Sequence, residues 1–449
     1  MFSMWARAPW ARVAVLAFGA PLLLGALGPV SAAAAGHRMT PAYASDTQGD
    51  YIADFQPDVG LPALPCLTTN PIGCFTPTSI RPAYGLPAIN DPHQNGAGRR
   101  IVIIEAFQSA TIKADLGLFD VFMDLPDPTL DIRTPFGVSA TDPGNLAGWS
   151  KETALDVEWA HAIAPKASLI LVQAKSDQDV DMVAALRYAV AHNLGDVISM
   201  SFGEAETCAD RGALAKQHAA LEQARERGIT VVASSGDQGA ARKCPDGSLV
   251  FAPSTPASDP NVTAVGGTHL MAAPDGTYLS EVAWNTPPST NPRAPMPGAS
   301  GGGFSTVYHR PDYQAPFQPN KRSRGVPDVA YDADPTSGFI FTWNTHGFLA
   351  SGTSAGTPQW AGIAALADQA GGHRLGLINT RLYKIARGDA YARAFHDVTT
   401  GNNTFGRFTG YAARKGWDPV TGLGSPNVAN LLPLLRRSGD DERGGDGEG

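Results

Sequence analysis

The stretch "SGTSAGTPQW", residues 351–360, sets Ser354 among small residues directly ahead of an apolar run. A serine so placed suits a nucleophile at a helix start, where small neighbours admit a substrate and unpaired N–H groups favour developing negative charge. Its hydroxyl is inert without a base. The chain has ten histidines. His37, His93, His309 and His346 fall in an N-terminal extension, a turn and loops, and none stands in an "HGTxV" sequence, the setting that a histidine-dependent use of "SGTSAGTP" requires. His161 lies on a candidate helix, "KETALDVEWAHAIAP". On a wheel with Glu152 at zero, Asp156 falls at about 40°, Trp159 at about 340°, Ile163 at about 20° and His161 at about 180°. The wheel therefore directs Glu152 and Asp156 into the apolar arc and puts Lys151, Glu158 and His161 on the opposite face, His161 pointing away.

Two carboxyls one turn apart are commonly an ordinary acidic helix face, but their position in the apolar arc points them at the core. A buried pair of this kind cannot readily ionise twice, so it shares a proton over an acidic range. That makes a general base for acid conditions, where a histidine of ordinary pKa, about 6.5, is already protonated. A third carboxyl stands in "ITVVASSGDQGA", where a buried strand ends in a small-residue turn that presents Asp237. An Asp in a tight turn can simply bond its own backbone. Beside a nucleophile, a protonated Asp can instead donate a hydrogen bond to an oxyanion.

The elements that must position these residues follow from apolar periodicity. "RRIVIIEAF", "ASLILVQA", "DVISMSF" and "ITVVASSG" read as buried strands, and "ADLGLFDVFMDL", "VDMVAALRYAVAHN" and "GALAKQHAALEQARERG" as helices between them. Such alternation implies an α/β fold with a mostly parallel sheet, helices on both faces and a ligand site at the strand C-terminal ends. The region from Asp259 to about Thr345 reads as loop-rich, with "NTPPSTNPRAPMPGASGGGFS" full of Pro, Gly and Ser. The end, residues 438–449, is an acidic tail expected to be disordered.

Arg7 and Arg12 precede an apolar stretch from Val13 to Val30, and "SAAAAG" follows. This is the layout of a secretory signal over residues 1–35, so the mature chain is expected to be extracellular, off the membrane and monomeric. The four cysteines form two local couples, Cys66 with Cys74 and Cys208 with Cys244, and an exported chain would use them structurally, although four cysteines allow three connectivities. A net charge of -8 over 449 residues argues against a nucleic-acid partner.

Taken in order, "ETALDVEWAHAIAPKA", "SSGDQGA", "VTAVGGT", "SGGGFS", "PDVAYDADP" and "SGTSAGTP" resemble the sedolisins, the serine-carboxyl peptidases. The resemblance implies a subtilisin-like fold and peptide-bond cleavage at acidic pH, with protein or peptide substrates. It makes Ser354 the nucleophile, Glu152 the base, Asp156 its proton-sharing partner and Asp237 the oxyanion donor, in agreement with the wheel. It also implies one structural calcium ion, held by the carboxylates of Asp397 and Asp418 and the carbonyls of Val398, Arg414 and Gly416; oxygen-only ligation suits that ion. The chain departs from the family at Arg414, often a glycine, and at Phe202, where several members carry Trp. Residues 36–77 are also too few for the family's large prosegment, so the catalytic domain is expected over 78–437. Endopeptidase and tripeptidyl-peptidase action both remain open. The competing readings are a histidine-dependent peptidase and a non-catalytic binding protein on the same scaffold.

Overall fold

The computed structural model describes residues 37–41, 51–54, 64–137, 143–244, 246–291, 295–318 and 321–436. The expected signal and the acidic tail lie outside the described residues. The strands that matter for the site are β1 (Thr40–Pro41), β2 (Arg100–Ala106), β3 (Leu130–Arg133), β4 (Ser168–Ala174), β5 (Val197–Met200), β6 (Phe202–Ala205), β7 (Thr230–Ser234), β8 (Ala241–Lys243), β9 (Thr263–Ala272), β10 (Tyr278–Ala283) and β11 (Val329–Asp332). The helices are α1 (Ile112–Met123), α2 (Pro143–Ile163), α3 (Asp179–Ala191), α4 (Arg211–Glu226) and α5 (Thr353–Gly371).

The central sheet runs β10-β9-β7-β5-β2-β4-β3, with β11 also paired to β9. All its pairings are parallel except β9 with β10. Its inner strands are the β-branched runs "IVII", "VIS" and "VVA", buried throughout, as a sheet covered on both faces requires. The first strand, β2, sits in the middle, so the chain winds outward in both directions from it. Loops leaving the C-terminal ends of β2, β4, β5 and β7 therefore open around one crevice.

Where the sequence suggests one strand over "DVISMSF", the chain breaks at Ser201, and β6 leaves the sheet to pair with β1 and with residues Ser254–Thr255. The expectation of a loop-rich region after Asp259 is corrected: β9, β10 and β11 all lie there and complete the sheet. Glycines in "VTAVGGT" interrupt the apolar pattern, yet they are needed, because a Cβ on Gly267 would lie 2.8 Å from both Trp284 and Ala333.

Helix α2 differs from its wheel. Lys151, Glu158 and His161 are as buried as Glu152 and Asp156. The face expected to meet solvent is covered by α1 and by the strand Gly338–Trp343, and some of its polar groups meet neighbours there. Glu158 accepts from Thr342 N at 2.8 Å, His161 Nε2 lies 3.2 Å from Asp120 Oδ1, and the Lys151 ammonium stands over the Trp343 and Phe348 rings. The disulfides join Cys66 to Cys74 and Cys208 to Cys244, the latter tying the loop after β6 to the end of β8.

Helices α2 and α5 cross at close range. A Cβ on Gly362 would lie 2.6 Å from Ile163 Cβ, whereas one on Gly117, in α1, would meet nothing within 4 Å. Helix propensity favours Ala over Gly by about 1 kcal/mol, while overpacking costs about 1–3 kcal/mol. Gly117→Ala should therefore raise the melting temperature and Gly362→Ala lower it; thermal denaturation of the two variants checks the signs.

Candidate active site

Ser354 is the second residue of α5, preceded by Gly352 at φ 89°, a left-handed turn that glycine adopts without strain. Its Oγ lies 3.2 Å from the carbonyl of Ser201, at the break between β5 and β6. The same hydroxyl is close enough to Glu152 to lower that carboxyl's pKa by hydrogen bonding, although neither Glu152 oxygen makes a well-formed bond in the resting geometry. Contacts of this kind often tighten only once substrate is bound. Behind Glu152, Asp156 Oδ2 accepts from Ser201 Oγ at 2.6 Å.

A further carboxyl joins this row. Glu105, next to last in β2, is fully buried and lies close enough to Asp156 for each carboxyl to shift the other's ionisation, although neither Glu105 oxygen makes a well-formed hydrogen bond. It was not picked out from the sequence. The available signal was a lone acidic residue in an otherwise apolar strand, "RRIVIIEAF", at the strand end where sites form.

Burial dominates the electrostatics. Glu152 is pushed well above the usual carboxylate range by desolvation and then by the charge of Asp156, with the Ser354 hydroxyl pulling the other way. Glu105 is raised by desolvation and by the charges of Asp156 and Glu152. Asp156 is raised by burial to about 8, against hydrogen bonds from Ser201 and Glu105. Such a row holds protons rather than charges until one member is relieved.

Asp237 approaches from the other side, on the turn after β7. Its Oδ1 accepts from Thr353 N at 2.9 Å and from Thr353 Oγ1 at 2.8 Å, while Oδ2 is buried without a partner. Burial raises its pKa to about 7 in spite of the Thr353 bonds and nearby Arg242. A proton at neutral or lower pH thus belongs on Oδ2, beside the nucleophile's turn. "SGGGFS" packs on this turn: Gly301 N donates to Gly236 O at 2.6 Å, and any Cβ on Gly301 would collide with the Ser235 carbonyl.

At position 202, Phe202 packs on Trp149 with ring centroids 6.0 Å apart, and the Trp149 indole N–H has no partner. His161, engaged with Asp120, is buried but is not turned outward as its wheel position suggests.

The C-terminal loops bring Asp397 and Asp418 to one place. Asp397 accepts from Gly416 N at 3.0 Å, and Asp418 from Arg414 N at 2.9 Å and Thr421 N at 2.8 Å. Among the described residues, no hydrogen bond reaches the carbonyls of Val398, Arg414 or Gly416. Two carboxylates with free carbonyls around them form an oxygen-only donor set, which fits a hard cation.

The subtilase family, Peptidase S8, matches residues 144–376. Kumamolisin of Bacillus sp. (strain MN-32) is 32% identical over 371 residues, covering 80% of this chain and 63% of its own. Sedolisin of Pseudomonas sp. (strain 101) is 31% identical over 319 residues, covering 69% of this chain and 53% of its own. Human tripeptidyl-peptidase 1 is 32% identical over 264 residues, covering 54% of this chain and 43% of its own. The chain thus spans 43% to 63% of the length of these relatives. A solved structure of Pseudomonas sedolisin, complexed with two molecules of pseudo-iodotyrostatin, superposes with a TM-score of 0.72 at 27% identity, covering 82% of this chain and 99% of that one. By fold and by sequence the chain belongs to the subtilase family, in its sedolisin branch.

Proposed function

We propose that the protein is a secreted serine-carboxyl peptidase that cleaves peptide bonds of protein substrates on the acid side of neutrality. The observation behind this reading is the placement of Ser354 between a row of buried carboxyls and the Asp237 carboxyl with its free Oδ2. Ser354 Oγ attacks the scissile carbonyl carbon and its proton passes to Glu152, while Asp156 and Glu105 behind it share the remaining protons. The negative charge on the substrate oxygen is met by the α5 N-terminus and by the Asp237 Oδ2–H. The protonated Glu152 then gives its proton to the leaving amine, and water releases the acyl group from Ser354 by the reverse sequence. The His161–Asp120 contact counts against a histidine base, because the ring is engaged elsewhere.

In this reading a calcium ion sits at Asp397 and Asp418 with the carbonyls of Val398, Arg414 and Gly416. When bound, it supplies charge compensation that fixes these two loops. The loops are attached to the sheet by Trp417 Nε1 donating to Pro327 O at 3.0 Å and Leu423 N donating to Asp328 O at 2.8 Å.

Ser354→Ala should abolish hydrolysis of a denatured protein substrate, and Glu152→Gln should be about as damaging, since an amide cannot accept the proton and the two groups act as a unit. The double variant should be hardly worse than either; a fully active Ser354→Ala chain would remove the nucleophile.

Asp237 sets the expected alkaline limit. It donates only while protonated, so activity should fall as pH rises through about 7, where the group ionises and begins to repel the oxyanion. Asp237→Asn keeps a neutral donor and should move that limb upward with partial activity, whereas Asp237→Ala should lose about 10²- to 10³-fold at every pH. A wild-type limb in the Asn variant, read from a pH–rate profile, would place the controlling ionisation elsewhere.

Chelation of divalent ions should lower the melting temperature by mass action. Asp418→Ala should lower it similarly and leave no further response to chelator; a transition insensitive to chelator at several pH values would argue against the ion.

A further inference from the structure

Residues 37–41 run along β6 on the Ser354 side of the molecule. Thr40 and Pro41 pair antiparallel with Gly203 and Phe202, and Thr40 Oγ1 donates to Gly203 O at 3.0 Å. On its other edge the segment bonds to the loop between β4 and α3: Met39 N donates to Asp177 O at 2.8 Å, and Asp179 N to His37 O at 3.1 Å. It thus lies between β6 and the 177–179 loop, one residue along from Ser201, whose carbonyl meets the Ser354 hydroxyl. An extended peptide held by main-chain bonds on both edges, with alternate side chains sent inward, is how a strand-shaped substrate is gripped.

The inward side chains report what lies beneath. Met39 enters the apolar cluster that contains Trp149 and Phe202. His37, two residues earlier, reaches Asp179 and Glu204, with one ligand atom of each residue within 4.8 Å of the others. Asp179 is 1% exposed and Glu204 3%, yet Asp179 Oδ1 and both Glu204 oxygens meet no donor. Buried acceptors left empty are costly. Glu204 is raised to about 10 by burial and then by the neighbouring Asp179 carboxyl, while Arg242 from β8 pulls it down and Asp210 ahead of α4 pushes it up. From the segment's side the pair is met by His37.

We infer that the segment occupies the acyl half of the peptide groove as a substrate would, and that Asp179 and Glu204 form a subsite for a basic side chain of the bound peptide. The basic residue stands two positions before the residue that fills the Trp149–Phe202 pocket. An arginine or lysine there brings donors to the three empty oxygens in charge-assisted bonds. His37 takes that place in the present structure. The inference rests on the peptidase reading for its groove, but it concerns binding.

It is tested with the Ser354→Ala chain and three C-terminally labelled peptides, acetyl-Xaa-Ala-Met-Thr-Pro-Ala, with Arg, norleucine or Glu as Xaa, read by fluorescence anisotropy. The tethered segment weakens all three alike, so the order of affinities is what counts. Arg should bind about tenfold or more tighter than norleucine, the yield of one charge-assisted hydrogen bond, and Glu weakest. Glu204→Lys in the same background should reverse the order of Arg and Glu. Equal affinities, no binding of any peptide, or an order untouched by Glu204→Lys overturns the assignment. Turnover of the same peptides by the chain with Ser354 intact tests the peptidase reading separately: selective binding without cleavage would remove catalysis and leave the subsite.

Discussion

Water is excluded from the point where three carboxyl side chains meet, and the rest of the site is arranged around that fact. Glu105, Asp156 and Glu152 come from β2 and α2 into a space with no exposed surface, where an isolated charge would be prohibitively expensive. They remain there because they pool protons and because Ser201 and Ser354 offer hydroxyls to whichever oxygen is charged. Small residues keep the space closed. Gly362 lets α5 lie against α2, and Gly267 and Gly301 let the Thr353 and Asp237 turns pack without intervening side chains. Larger residues at these points would separate the walls.

The same burial gives two like groups opposite tasks. In the proposed mechanism Glu152 must lose its proton to act, whereas Asp237, with one oxygen saturated by Thr353, must keep its proton on the other. Environment, not residue type, assigns the roles. In that mechanism the two ionisations pull in opposite directions with pH. Arg242 stands between Asp237 and Glu204 and is drawn toward both. The disulfide from Cys208 to Cys244 holds its hairpin to the loop after β6. The Asp237 turn and the Glu204 strand therefore share one support.

A second buried charge system anchors the far end of the molecule. Arg324 binds Asp328 through two nitrogens, and Asp328 also accepts from Ala264 N, Asn379 Nδ2 and the Tyr383 hydroxyl. This densely bonded network fixes the approach to β11 and, through Leu423 and Trp417, the loops of Asp397 and Asp418. Breaking one partner would strand a charge in the core. The C-terminal loops are thereby tied to the same sheet that positions Ser354.

Local pattern alone was enough for much of this. The small-residue run around Ser354, the one-turn spacing of Glu152 and Asp156, the strand end before Asp237 and the alternation of strands and helices are all properties of neighbouring residues. They made the parallel α/β fold legible and singled out four candidate site residues, because periodicity states which side chains share a face. It does not state what covers a face. Hence His161 and Glu158 looked outward until α1 and the strand Gly338–Trp343 closed over them, and Glu105 stayed unnoticed because it meets Asp156 only when β2 lies across from α2. The strands after Asp259, the choice among three disulfide connectivities and the pairing of residues 37–41 with β6 were likewise decided by contacts between distant segments. Such contacts depend on the crossovers of the whole chain, and a short stretch of sequence contains only one side of each.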